Sequence, residues 1–528
     1  MRARYHGEQP TVSQIVTSRR LIELAASTTK TTPTVGFIFD KLVADESNRV
    51  PTGPNTIAAL LALGVSMAEP VAPEDGGDSE IPAAYTYFGQ FIDHDITKTL
   101  FDRSVTPPGI EDVIRSPTLH PIAPSDVGSL VSNARSFRLD LDSVYAGLAK
   151  EATAADGTMR LSEVSPVDAE AGPISSADPM HDLPRRKLIP NPIGDREQEA
   201  DRQALIGDPR NDENLLVAQL HVAFLRAHNA LMRRNLSVQQ AQSQLRRRYQ
   251  WTVVHDFLMR VCDRSVVQDI LNNGPKAWRV QNADELFMPL EFSGAAYRFG
   301  HSMIRGTYEH NDTFRTGKPN GPGLLKFMFT FTALSGDLQP GPGPNGQFPT
   351  LPRNWIIDWA RFFDEKINPA RRLDTRLTPE LATLRDMQGT PDTSLMGKLA
   401  VRNLLRGYLL GLPTGQAVAA HLKLPSVKPQ VLLDAVSPDQ RHLVSSAGLI
   451  DRTPLWFYVL AEAGDPGGAN GKHLGAVGSR IVAETLINVC RFSQDSVLES
   501  PPSQDELASG EFSLKGIVRL GLDAAFKL

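Results

Sequence analysis

The sequence predicts a mainly α protein, built as one large body with long irregular connections. Three observations predict it. Apolar residues recur three and four apart over several long stretches, the spacing of one helix face. Runs of strand-like alternation are few. Gly (40) and Pro (39) fall in many short clusters between the helical stretches, where they turn the chain and interrupt regular structure.

In chain order, residues 1–75 read as an N-terminal arm with short helices such as SRRLIELAA, and residues 76–528 as one large domain. PVAPEDGGDSEIP (70–82) is a loop. YFGQFIDHDIT (87–97) is an apolar helical segment carrying polar groups. A polar stretch from about 103 to 200, including VSPVDAEAGPISSADPMHDLP, has little helical periodicity and reads as surface loop. Helical spacing is strong over 214–236, 241–271, 394–412, 455–464 and 475–492. No internal repeat of solenoid length is present.

Composition excludes several classes. The chain has 528 residues, 41% hydrophobic and 22% charged, with 55 basic and 60 acidic residues and a net charge of -5. No basic field favours nucleic acid or an anionic membrane. Cys262 and Cys490 are the only cysteines, too few for a disulfide framework or an all-thiolate zinc site. The longest apolar run, Ile57 to Ala68, is short of the ~20 residues that span a bilayer. The first residues show no recognisable signal peptide, and Arg19-Arg20 lead into a stretch too polar for a twin-arginine signal. The expectation is a cytoplasmic or non-classically secreted protein.

Five segments carry candidate chemistry. In the first, Gln90 and His94 are four apart and share one helix face, with Asp93 and Asp95 flanking the histidine and pointing elsewhere. In the second, SFRLDLDS, Ser136, the Arg138 carbonyl, Asp140 and Asp142 alternate oxygen donors in a loop, which suits a hard cation as well as an acidic turn. In the third, GDPRNDE (207–213), Arg210 and Glu213 open a helix. The fourth, YRFGHSMI (297–304), holds Arg298 and His301; the fifth, RNLLR (402–406), holds Asn403 and Arg406.

Each segment alone reads better as ordinary structure. Their order and content together resemble the animal-type haem peroxidases of the peroxidase–cyclooxygenase superfamily, over about residues 82–490. The resemblance implies a mainly α domain with helices around a central haem b. It implies His94 as the distal base, Gln90 as a distal-pocket residue and Arg210 as the distal arginine. Asp93 and Glu213 would be the ester-forming carboxylates. Asn214 stands where one branch has a sulfonium-forming methionine, so that third link is not available. His301 would ligate the iron, with Asn403 accepting its Nδ–H, Arg298 binding a propionate and Arg406 near the haem edge. Asp95, Ser136, Arg138 (carbonyl), Asp140 and Asp142 would bind Ca2+. Asp142 departs from the serine of the mammalian members.

The implied reaction is reduction of hydrogen peroxide through an oxo-ferryl haem. A small organic donor or a halide would then be oxidised, a role that fits a response to oxidative stress. His94 would move the proton between the peroxide oxygens, and Arg210 would stabilise the charge on the leaving oxygen. The sequence speaks against two rivals. A fatty-acid dioxygenase or cyclooxygenase of the same superfamily needs a tyrosine three residues before the proximal histidine. Arg298 stands there, and Tyr297, one place off, should point elsewhere on a helix. A non-enzymatic haem-binding or adhesion protein finds no support in a pocket that keeps its histidine, arginine and glutamine.

Overall fold

A computed structural model of the chain describes residues 35–69, 77–101, 109–167, 178–185, 203–333, 350–384 and 392–522. The SRRLIELAA segment, most of the 70–82 loop's first half and the middle of the polar 164–184 stretch lie outside the described residues. The described residues are mainly helical, as the sequence predicts, and one contiguous apolar core joins all the long helices. Their strands form four short two-stranded pairs.

Within the segment read as an arm, α1 (Pro54–Ser66) packs into this common core with Ile57, Leu60 and Leu63 buried. It lies on α5 (Leu399–Leu409). Gly64 permits the approach, because a Cβ there would stand 2.8 Å from the Val401 backbone. α2 (Ala84–Ile96) buries Phe88, Phe91 and Ile92 against α3 (Leu215–Met232) and α4 (Val238–Thr252). Its chain then turns extended at Thr97, and Thr99–Phe101 pairs antiparallel with Val131–Asn133. That pairing brings the loop at 136–142 back beside the end of α2.

The predicted single helix over 241–271 is divided. α4 runs into a π turn at Val253–Phe257, a short helical turn at Leu258–Val261, and a break at Cys262. A new helix starts at Arg264, with the Asp263 side chain capping the Ser265 N–H. The break is local chemistry that an apolar period does not report. α6 (Leu455–Gly464) and the almost wholly buried α7 (Ala476–Arg491) follow the prediction to within two residues. α8 (Leu514–Gly521) closes the described chain against α3.

Candidate active site

α2 is helical because Phe88, Phe91 and Ile92 supply an apolar stripe, and its polar residues have partners inside the protein. Gln90 and His94 do share a face, and both reach Glu213. Gln90 Nε2 donates to Glu213 Oε1 at 2.5 Å, and His94 Nε2 lies 3.3 Å from the same oxygen. Glu213 arrives there because Asp208 caps a 3₁₀ turn, Pro209–Asp212, by accepting from the Arg210 N–H. Asn214 then caps α3 through the Val217 N–H. The Asn214 amide also donates to Gln90 Oε1 at 2.9 Å.

His94 is buried, and its Nδ1 lies 2.8 Å from Oδ1 of Asn211. The Asn211 amide nitrogen lies 2.9 Å from Nδ1 of His221. Burial pushes the His221 imidazole down to about 3, so it is neutral. With the Asn211 oxygen toward His94, His94 Nε2 faces Glu213. Local spacing carries no signal for either residue: Asn211 sits in the polar turn at 207–213, and His221 on a helix buried nearly all round.

Arg210 is anchored on three sides. Its Nη2 donates to Asp208 at 2.7 Å, to the His94 carbonyl at 3.1 Å and to the Thr97 carbonyl at 2.6 Å. Burial of Asp208 is outweighed by Arg135, Arg210 and Lys98, which hold its carboxyl well below the usual range. The guanidinium is thus fixed to the end of the same helix that carries His94.

The segment with His301 is a 3₁₀ helix, Ala296–Met303, where residues three apart eclipse. Arg298 and His301 therefore share a face, and both approach Asn403 on α5. His301 Nδ1 lies 2.9 Å from the Asn403 amide nitrogen, and Arg298 Nη1 donates to the Asn403 oxygen at 3.1 Å. The expectation that the Asn403 oxygen accepts the His301 Nδ–H is not met by this orientation. Turning the amide over would meet it, and would also set the amide nitrogen against Arg298.

The two histidines line one cavity of about 990 Å³, counting space open to solvent. Gln90, Asp93, Arg210, Arg298 and Arg406 line it too. Two sequence expectations are corrected. Asp93 does not point elsewhere but reaches the cavity wall, with its Oδ1 accepting from Thr97 Oγ1 at 2.8 Å. Tyr297 also reaches the wall, because a 3₁₀ turn places it differently from an α-helix. A flat macrocycle with two carboxylates fits this lining: two imidazoles, arginines, and the apolar Phe257, Phe299, Met303 and Ile304.

The loop at 136–142 does return to α2. Phe137 and Leu141 take left-handed backbone angles (φ 54° and 58°), which bend the loop sharply. Asp95 accepts from the Leu141 and Ser143 N–H groups, Asp142 from Ser136 N–H, and Asp140 from Gln494 N–H. Burial, with repulsion from Asp142, raises Asp95 to about 8, and burial raises Asp140 to about 6. A buried group of like charges suits a cation. Among the described residues, no three acidic, histidine or cysteine side chains converge in metal-ligand geometry.

The sequence matches the family model for animal haem peroxidase over residues 132–339. The fold is similar to that of peroxidase A from Dictyostelium discoideum, with a TM-score of 0.57, 15% identity, and 90% of each chain covered. The family match covers less than half of the chain, and the likeness to that structure is one of fold. The fatty acid alpha-dioxygenases of two plants are similar in fold as well. That of Oryza sativa has a TM-score of 0.52 at 13% identity, covering 88% of this chain and 75% of that one. That of Arabidopsis thaliana has a TM-score of 0.52 at 11% identity, covering 91% and 79%. No curated protein sequence matches the chain significantly. Among the described residues, no helix is long and apolar enough to cross a membrane.

Proposed function

We propose that this protein reduces hydrogen peroxide at a haem held between His94 and His301, and oxidises a small organic donor or a halide. One observation carries the reading. Two histidines from distant segments line one cavity, and each has its Nδ1 against a buried asparagine amide, Asn211 or Asn403. His301 would ligate the iron, and Arg298 and Arg406 would hold the propionates and haem edge. Asp93 and Glu213 are the carboxylates available for ester bonds. When bound, the haem supplies the iron that accepts peroxide oxygen and the redox equivalents.

The residues of the chain would move protons and stabilise charge. His94 Nε2 takes the proton from the inner peroxide oxygen and returns it to the outer one. Arg210, held rigid by Asp208 and two carbonyls, stabilises negative charge on the leaving oxygen without reorganising. Gln90 orients peroxide or a water beside His94. Ca2+ would be held by Asp95, Ser136, the Arg138 carbonyl, Asp140 and Asp142, tying the loop to the helix that carries His94.

The test is a haem-loaded protein followed optically. A Soret band that shifts on adding peroxide, with oxidation of a phenol or iodide, is expected. His94→Ala should slow the peroxide step about 10²–10⁴-fold, the range for losing a positioned general base. Absence of a Soret band after haem loading would end the reading. The dioxygenase fold likeness favours a second reading, fatty-acid oxygenation; substantial oxygen uptake with linoleate would replace the first with it. Arg298 at the position three before His301 weighs against that outcome.

A further inference from the structure

Three tyrosines line the cavity: Tyr85, Tyr87 and Tyr297. Each donates its hydroxyl hydrogen to a different kind of acceptor. Tyr297 donates to the Gly89 carbonyl at 3.2 Å. Tyr87 donates to the Tyr308 hydroxyl at 3.0 Å. Tyr85 donates to the Asp256 carboxylate, 2.8 Å from both oxygens. A peptide carbonyl and a neutral phenol are too weakly basic to take a proton. A carboxylate can take one.

The difference matters for oxidation. Burial drives the ionisation of all three phenols well above its ordinary range, so none offers a ready phenolate. An electron leaves such a phenol readily only if its proton leaves with it. Asp256 is built to receive that proton. It stands in the π turn Val253–Phe257, a widened turn of the kind that clusters at functional sites. Arg260 Nε donates to its Oδ1 at 2.8 Å, and the Leu514 N–H to its Oδ2 at 3.1 Å. The Arg260 guanidinium also lies over the Tyr85 ring, 4.4 Å from its centre. A cation there disfavours a positively charged ring, so the oxidised tyrosine is pressed to give up its proton.

We infer that Tyr85 is a redox-active tyrosine, which gives one electron to the peroxide-oxidised haem and its phenolic proton to Asp256. The inference rests on the peroxidase reading. The Tyr85 O–H bond breaks and an Asp256 O–H bond forms. The tyrosine becomes a neutral phenoxyl radical. Its electron is one of the two that, with two protons, reduce hydrogen peroxide to water. A hydrogen-atom donor, such as a small phenol entering the cavity, restores Tyr85, and Asp256 releases its proton. Tyr85 lies nine residues before His94, about 13 Å along the helix. The radical would therefore be a second oxidising position, for donors kept from the haem itself.

The experiment adds peroxide to the haem-loaded protein, with the optical spectrum and frozen-solution EPR recorded on one sample. The expected result is a free-radical signal that narrows when tyrosine rings are deuterated. It should be absent in Tyr85→Phe and retained in Tyr87→Phe and Tyr297→Phe. Asp256→Asn keeps the phenol but removes the proton acceptor. It should slow radical formation about a hundredfold or more, the size of losing a positioned base. A responding haem spectrum with the radical unchanged in Tyr85→Phe, or formed equally fast in Asp256→Asn, overturns the inference alone. A haem spectrum indifferent to peroxide in the unaltered protein removes the peroxidase reading, and this inference with it.

Discussion

His94 Nδ1 stands 2.8 Å from the side-chain oxygen of Asn211. The neutral His221 behind Asn211 meets the other end of the amide, its Nδ1 2.9 Å from the amide nitrogen. With the amide oxygen toward it, a neutral His94 carries its proton on Nδ1 and offers the Nε2 lone pair, the form a general base needs.

Asn211→Asp puts a carboxylate where the amide oxygen is. A negative neighbour favours the imidazolium, so His94 should hold its proton to higher pH. The acid limb of the kcat/KM–pH profile for peroxide should move up by about one pH unit or more. An unmoved limb would mean that His94 is not the base that Asn211 orients.

Glu213→Gln should act in the opposite sense. The Glu213 carboxylate lies 3.3 Å from His94 Nε2, and a nearby negative charge is removed by the substitution. Its removal should extend activity to lower pH. Ester formation at Glu213 would remove the same charge, so the variant should resemble an esterified protein in its pH profile and yet release its haem to acid acetone more easily. An identical profile, in unaltered protein whose haem acid acetone fully releases, would argue against coupling between the two groups.

Removal of calcium should lower peroxide turnover before the fold is lost. Asp95 adjoins His94 on one helix and bonds the loop at Leu141 and Ser143, so a cation there would steady the histidine. Activity and circular dichroism followed together in strong chelator check this. Equal activity at verified zero calcium would contradict it.

Acid should destabilise the protein through buried neutral histidines. Burial holds His310 at about 4, against an ordinary 6.5, while its Nε2 lies 2.9 Å from the Trp355 carbonyl. The unfolded chain binds protons below pH 6.5 that folded His310 refuses. Its contribution is therefore full above about pH 6.5 and falls as pH drops toward 4, by roughly 3 kcal/mol at the limit. His310→Gln should flatten Tm against pH in that window, though it lowers Tm at neutral pH. A slope unchanged from the unaltered protein would assign the acid sensitivity elsewhere.

Much of the site was legible because short-range spacing dictates it. Four residues on a helix put Gln90 and His94 on one face whatever the rest of the chain does. The turn at 207–213 placed Arg210 and Glu213 together for the same reason. The helices of the core followed from their apolar period, except where Asp263 and the π turn at 253–257 broke the 241–271 stretch.

What the sequence by itself determined was the mainly α class, the principal helices, and the segments that carry chemistry. What only the tertiary structure decided was which atoms meet. Asn211 is remote from His94 in sequence, as Asp256 is from Tyr85, and Asn403 from His301. Nothing in their local spacing announces a partner. A buried hydrogen bond is set by the packing of whole helices, and the strength and direction of each one depend on atoms brought together only by that packing.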